Sequence, residues 1–412
     1  MDVSGGGMPV VSSRSVYCAS VAVYRAAGRK LVRALLASHF YGTTGQGRPV
    51  TLKDLFIGAV LVGVTFAGVV AAASALQDGD DNTATFQQVS NRARLVGGGT
   101  PPLTSGLLAG RPAETSPDAP SVRRPIAVMI DNNSAAVPQT GLNRADVVIE
   151  ALVEGGITRF LAIFHSQEAV RIEPVRSART PFLRWVLEYD ALFAHVGSSE
   201  ESGDADAGRQ IREWNVSDLD YQGARPVAGA FARDSAREPP HNVYTNTPNL
   251  RRSAESRGYN RAPTFQPWKF TPKPPGSSAA RSSATRLTVG FGSLSPFTVG
   301  WTWDANTRLY RRSEYGAPHF DAATSEQLTA SNVIVQYARS FVADSLGHVL
   351  IDNIGQGQAQ LFMDGTVTEA IWRKAENASR TRFYSQTGLE IEFRPGQTWI
   401  EVVDPSGGVR ID

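Results

Sequence analysis

Residues 124–164 read RPIAVMIDNNSAAVPQTGLNRADVVIEALVEGGITRFLAIF, and this stretch decides the fold of the first ordered segment. Ile126–Ile130 is a short apolar run that ends in the turn-forming Asp131-Asn132-Asn133-Ser134. Val147–Ala151 and Ile157–Phe164 are two further apolar runs, joined through Glu154-Gly155-Gly156. Runs this short, bounded by turn residues, predict buried strands. Downstream, Thr180-Pro181 offers an N-cap followed by Pro at the first helical position, with Phe182, Leu183, Val186 and Leu187 at helical spacing. That helix is expected to end near Asp190, before a strand over Leu192–Val196. Thr247-Pro248 opens a second helix, which Gly258 can close at its C′ position. Residues 123–261 therefore predict a mixed α/β domain.

Further along, residues 286–405 predict a mainly β domain. Met363-Asp364-Gly365-Thr366 carries the Asp-Gly of a tight hairpin, and Gln386-Thr387-Gly388 gives another turn. Asn332–Tyr337, Ala359–Phe362, Leu389–Phe393 and Trp399–Val403 supply β-branched or aromatic strands. Residues 262–285 (APTFQPWKFTPKPPGSSAARSSAT) read as a linker between the two, and 406–412 as a tail.

Ahead of these, Leu55–Leu76 (LFIGAVLVGVTFAGVVAAASAL) carries no charge and is long enough to cross a bilayer core of ~30 Å. Residues 1–54 hold seven Lys/Arg against two Asp/Glu, whereas the rest of the chain holds 34 against 37. The positive-inside rule then places 1–54 in the cytoplasm and everything after residue 77 outside, on a single-pass anchor in the cell membrane. A buried core helix and a signal peptide cleaved after Ala75 are the rival readings of the same run. Residues 77–122, rich in Gly, Pro, Ser and Thr, read as a disordered stalk. The fold class expected for the whole is α+β: transmembrane anchor and stalk, mixed α/β domain, mainly β domain.

Composition excludes several classes. The chain has 412 residues, a formal charge of +2 and one cysteine, Cys18. A lone cysteine forms no disulfide scaffold or zinc ribbon, and near-neutral charge argues against a nucleic-acid partner. The six histidines show no i, i+4 pair, so no metal site is expected. Asp131, Glu150 and Glu154 could hold a hard cation, or be ordinary surface carboxylates. Gly355-Gln356-Gly357 lacks a following Walker lysine and reads as a close backbone approach, so no cofactor is expected.

Several stretches taken together resemble a known family: 124–164 as quoted, EPVRSART (173–180), EYDALFAHVGSS (188–199), PPHNVYTN (239–246), EQLTASNVIVQY (326–337), GHVLIDNIGQGQAQLF (347–362) and PGQTWIEVV (395–403). In this order they resemble the YerB-type family of bacterial envelope lipoproteins, built from two adjoining domains of unknown function. The resemblance implies an extracytoplasmic protein and carries no catalytic residues. The family is usually tethered by a lipidated cysteine, whereas Cys18 follows no apolar signal region and the Leu55–Leu76 run stands in the anchor position.

The candidate site is an anion-binding one. Arg176-Ser177-Ala178-Arg179 directly precedes the predicted helix start, where free N–H groups and the helix dipole favour an anion. Arginine grips phosphate or carboxylate with two parallel hydrogen bonds. Arg159, after Gly155-Gly156, is placed to supply a third cation. The bland alternative pairs these arginines with Glu150, Glu154 or Glu173. His195 ends a predicted strand, where a general base or a ligand contact can sit, or a core histidine. His241-Asn242 lies in a proline-stiffened loop that positions a ligand or locks a turn. Ser177 or Ser198 as nucleophile, with His195 or His241 as base, lacks the Gly-x-Ser-x-Gly elbow.

Two functions follow. The first is a non-catalytic binding or scaffold protein of the bacterial envelope that assists cell-wall assembly, with a wall precursor or envelope proteins as partners; Trp372 and Trp399 stand as candidate exposed aromatics or core. The second is an enzyme on a phosphate-bearing wall precursor. Its strand–strand–Arg layout (ADVVIE, GGITRFLAIF, VRSAR) is similar to that of LytR-type wall-polymer phosphotransferases, at the level of layout alone.

Overall fold

The computed structural model describes residues 123–200, 203–223, 225–227, 229–272 and 282–412, with short pieces at 104–105, 108–110 and 112–113. The segment 1–54, the Leu55–Leu76 run and most of the 77–122 stretch lie outside the described residues.

In chain order the first half supplies β1 (Ile126–Asp131), β2 (Val147–Leu152), β3 (Thr158–Phe164), α1 (Thr180–Glu188), β4 (Leu192–His195), α2 (Ala207–Glu213), β5 (Asp218–Asp220) and α3 (Thr247–Ser256). The second half supplies β6 (Arg286–Gly290), β7 (Thr298–Asp304), β8 (Leu309–Glu314), β9 (Asn332–Tyr337), β10 (Gly355–Met363), β11 (Thr366–Lys374), β12 (Arg382–Ser385), β13 (Thr398–Val403) and β14 (Gly408–Ile411). One sheet runs β11-β10-β9-β13-β2-β3-β1-β4-β5 and so takes strands from both halves. The join is the parallel pair β13–β2, with Ile400 opposite Ile149 and Glu401 opposite Glu150. A smaller antiparallel sheet runs β8-β7-β6-β14.

Strands β1, β2, β3 and β13 are buried at every position. Both faces of the sheet are therefore covered here, which is why the sequence shows unbroken apolar runs instead of alternation. Burying each Ile, Val or Phe stabilises the fold by roughly 1.5–3 kcal/mol. Trp399 of β13 meets Trp301 of β7 edge-on at 5.3 Å and Phe160 of β3 at 5.5 Å, joining the smaller sheet to the larger. Helix α1 buries Phe182, Leu183, Trp185 and Val186. Its buried Glu188 accepts from Lys374 at 2.8 Å and Arg380 at 2.6 Å, a link from first half to second.

The α+β expectation is corrected: the molecule is mostly β. The described residues hold three α-helices of nine, seven and ten residues among many strands. Short 3-10 turns at Ser134–Ala136, Leu142–Arg144 and Glu154–Gly156 stand among β1, β2 and β3 in place of longer helices. The expected transmembrane anchor has no counterpart in the described residues, where no helix is long and apolar enough to cross a membrane. Leu389–Phe393 is not a strand and makes only isolated bridges. The cap of α1 is Arg179 in extended conformation, with Thr180 already helical, and α3 is capped by Asn246, whose side chain accepts from Asn249 N–H at 2.7 Å. Trp372 and Trp399 are both core. A Cβ on Gly357 would stand 2.6 Å from the Trp372 indole nitrogen, the close approach its sequence suggested.

Candidate functional site

Arg159 lies on β3 directly opposite Asp131, the last residue of β1. The segment 175–178 runs beside that strand end: Arg176 N–H donates to the Met129 carbonyl at 3.0 Å, and Ala178 N–H to the Gly197 carbonyl at 2.9 Å. This backbone ladder delivers Arg176 and Arg179 to the edge where Arg159 emerges, just ahead of α1. Two carboxylates receive the three guanidiniums. Glu154 accepts from Arg159 at 2.8 Å and from Arg179 through both of its oxygens. Asp131 forms an ion pair with Arg176 at 3.0 Å and a hydrogen bond with His241 Nδ1 at 2.6 Å. Arg159 also donates to the Ser177 carbonyl at 2.8 Å.

Electrostatics confirm the convergence. Burial depresses the Arg159 guanidinium to about 10; the neighbouring charge of Arg179 adds to this, and Glu154 opposes it. Burial alone would raise the Glu154 carboxyl, but the Arg179 hydrogen bond and the charges of Arg159 and Arg179 outweigh it and hold it at about 2. Arg159 is almost fully covered, whereas the Arg176, Arg179, Glu154 and His241 side chains keep exposures of 24, 12, 26 and 16%. Three buried polar atoms here, Arg159 Nε, Arg176 Nε and Thr180 Oγ1, have no hydrogen-bond partner among the described residues. The cluster thus carries three fixed positive charges against two negative ones and presents part of them to solvent.

Arg159, Arg176, Arg179, His241 and the Ser177 backbone come together; His195 and Asn242 do not join them. His195 Nε2 pairs with Asp218 at 2.7 Å and Nδ1 with the Gly197 carbonyl at 2.8 Å, so both ring nitrogens are spent inside the sheet. Burial would lower its pKa, but the Asp218 hydrogen bond and the charges of Asp218 and Asp220 leave it raised. Asn242 accepts from Arg233 at 2.7 Å and locks the turn before the strand Val243–Thr245. Neither the Ser177 nor the Ser198 hydroxyl bonds His195 or His241 among the described residues. Glu173 pairs with Arg171, and Glu150 with Arg312 in the core. Asp131 and Glu154 are each paired with arginines, and no group of three or more His, Cys, Asp or Glu among the described residues could hold a metal ion. Two clefts of about 360 and 320 Å³ lie elsewhere, around Asp190 with Arg124 and Arg261, and around Arg123, Arg124 and Arg251. We take the Arg159 cluster as the candidate site because its three guanidiniums, a histidine–carboxylate pair and partial exposure to solvent occur there together.

Two family models, matched in order along the chain, define its class. It belongs to the family described as "Protein of unknown function (DUF3048)", matching its N-terminal domain over residues 108–260 and its C-terminal domain over 287–400. Among individual proteins, it is 34% identical over 287 residues to the protein named "Putative lipoprotein YerB" of Bacillus subtilis (strain 168), covering 68% of this chain and 81% of that one. The crystal structure of the Bacillus subtilis YerB protein superposes with a TM-score of 0.63 at 31% identity, over 74% of this chain and 99% of the other.

Proposed function

We propose that this is a membrane-tethered protein of the bacterial envelope, with its folded part on the outer side, that binds a phosphate-bearing ligand at the Arg159–Arg176–Arg179 cluster and assists cell-wall assembly without turning the ligand over. The lipoprotein designation of its relative and the uncharged Leu55–Leu76 run after a basic segment support the location. The single observation that carries the ligand is the charge imbalance: three guanidiniums share two carboxylates beside the start of α1, with three buried polar atoms left without a hydrogen bond among the described residues. A phosphate oxygen there would satisfy those atoms and take up the excess positive charge.

The Asp131–His241 pair favours a second reading. Asp131 holds Nδ1, leaving Nε2 of a partly exposed ring free to act as a base on a phosphate-bound substrate. Thermal unfolding with added inorganic pyrophosphate tests the first reading: the melting temperature should rise with ligand by mass action, and Arg179→Ala should remove the rise. Phosphate release from a pyrophosphate or phosphodiester substrate, abolished by His241→Ala, would replace the binding reading with the enzymatic one.

A further inference from the structure

The hairpin that follows β8 turns through Tyr315 and Gly316, with Glu314 paired to Ala317 across it. Both central residues have positive φ, 50° and 76°, as a two-residue turn of the I′ kind requires. The chain builds the same turn between β10 and β11 from Asp364-Gly365, the residue types such turns favour. A tyrosine in the first position is a steric outlier, and an outlier of this kind points to use of the side chain. The Tyr315 ring is 52% exposed and rests on Phe297 at 5.2 Å, which in turn stacks on the buried Phe291 at 5.7 Å.

This platform adjoins the arginine cluster along two independent lines. Tyr315 Oη lies 3.5 Å from the carbonyl of Asn132, the residue after Asp131. Phe297 N–H donates to Ser295 Oγ at 3.0 Å, and that hydroxyl donates to the Gly156 carbonyl, two residues from Glu154. The Asp131 charge is felt at the Tyr315 phenol, which burial and the nearby Glu314 push up to about 12, so it stays a neutral hydrogen-bonding group. Directly after Asn132 in the chain come the half-buried Asn133 and the exposed Ser134.

We infer that Tyr315 and Phe297 form a stacking platform for the sugar ring of a glycosyl phosphate whose phosphate sits on Arg159, Arg176 and Arg179. The inference rests on the anion-binding reading above and names its ligand class. A pyranose offers a C–H face to an aromatic ring and hydroxyls to amides and hydroxyls, and the exposed Tyr315 ring provides the first while the exposed Ser134 and half-buried Asn133, next in the chain after Asn132, provide the second.

Titration calorimetry of the full chain with inorganic phosphate, N-acetylglucosamine 1-phosphate and adenosine monophosphate tests it. The sugar phosphate should bind about tenfold more tightly than phosphate, the size of one aromatic stacking contact. Tyr315→Asn gives the turn a favoured residue, so the protein stays folded; it should remove that tenfold gain and leave phosphate affinity unchanged. Tyr315→Phe should keep most of the gain. Equal affinity of Tyr315→Asn and wild type for the sugar phosphate overturns the platform while leaving the arginine site standing. An equal gain with adenosine monophosphate overturns the sugar assignment. Absence of binding by all three ligands overturns the arginine site and the platform with it.

Discussion

Glu150 and Arg312 stand on strands from opposite halves of the chain and meet at 2.7 Å with both side chains fully buried. Arg312 also reaches Glu314 at 3.4 Å and lies over the Trp399 ring at 4.9 Å. Glu150 stands opposite Glu401 across the β2–β13 pair. Burial pushes the Glu150 carboxyl well above its usual range; Arg312 opposes this, and the charges of Glu401 and Glu314 add to it. Burial raises Glu401 as well, so a proton retained by this pair offsets part of the buried negative charge.

Removing the only cation of this group should be costly. Arg312→Met leaves buried carboxylates without their counter-charge and is expected to destabilise the fold by about 3–5 kcal/mol in urea unfolding. Glu401→Gln keeps an acceptor for the Trp301 indole N–H, which Glu401 Oε1 now accepts at 2.9 Å, and offers Glu150 an N–H donor. Its cost should stay within about 1 kcal/mol.

Two glutamates impose opposite pH dependences. The folded-state pKa of Glu150 lies above its unfolded value near 4.5, so its stabilisation is complete below that pH and is lost as pH rises through the raised value. Glu154, held at about 2, contributes fully above 4.5 and loses that contribution as pH falls towards 2. Urea midpoints measured across acid and neutral pH should show Glu154→Gln flattening the acid limb and Glu150→Gln flattening the limb above pH 4.5.

His195 should behave as a structural residue. With its pKa raised, its contribution is present below 6.5 and fades as pH rises through the raised value. His195→Ala strands Asp218 and the Gly197 carbonyl, and should cost about 1–3 kcal/mol. Calorimetry with phosphate should find the affinity of that variant unchanged, whereas His241→Ala alters it.

The halves should not fold apart. A fragment ending at residue 285 would expose the β2 edge that β13 covers and bury Glu150 without Arg312. Circular dichroism of that fragment should show loss of the native β signal, restored by co-expression with residues 286–412.

Much of this was written locally in the chain. Short apolar runs marked β1, β2, β3, β9 and β13, and Asp364-Gly365 marked the β10–β11 hairpin. Arg176 and Arg179 were legible because they directly precede a helix start, Arg159 was named from the strand after Gly155-Gly156, and Glu154 stood among their expected partners. The parallel pairing of β2 with β13 was not legible, since nothing local specifies a neighbour some 250 residues away. Arg312 was hidden because Leu309–Glu314 (LYRRSE) looks like an exposed strand, yet Tyr310, Arg312 and Glu314 face inward to meet buried carboxyl groups. Tyr315 escaped notice because a tyrosine does not signal a turn. The mixed α/β expectation failed for a related reason: proline-led helix starts announce a helix and say little about its length.

The most direct test of the anion site is its position. Crystals soaked in tungstate, a phosphate-like anion with strong anomalous scattering, should show a peak within hydrogen-bonding reach of the Arg176 and Arg179 guanidiniums, and the peak should vanish in Arg176→Ala/Arg179→Ala. A peak confined to the cleft of Arg123, Arg124 and Arg251, or one that survives the double substitution, would contradict the assignment.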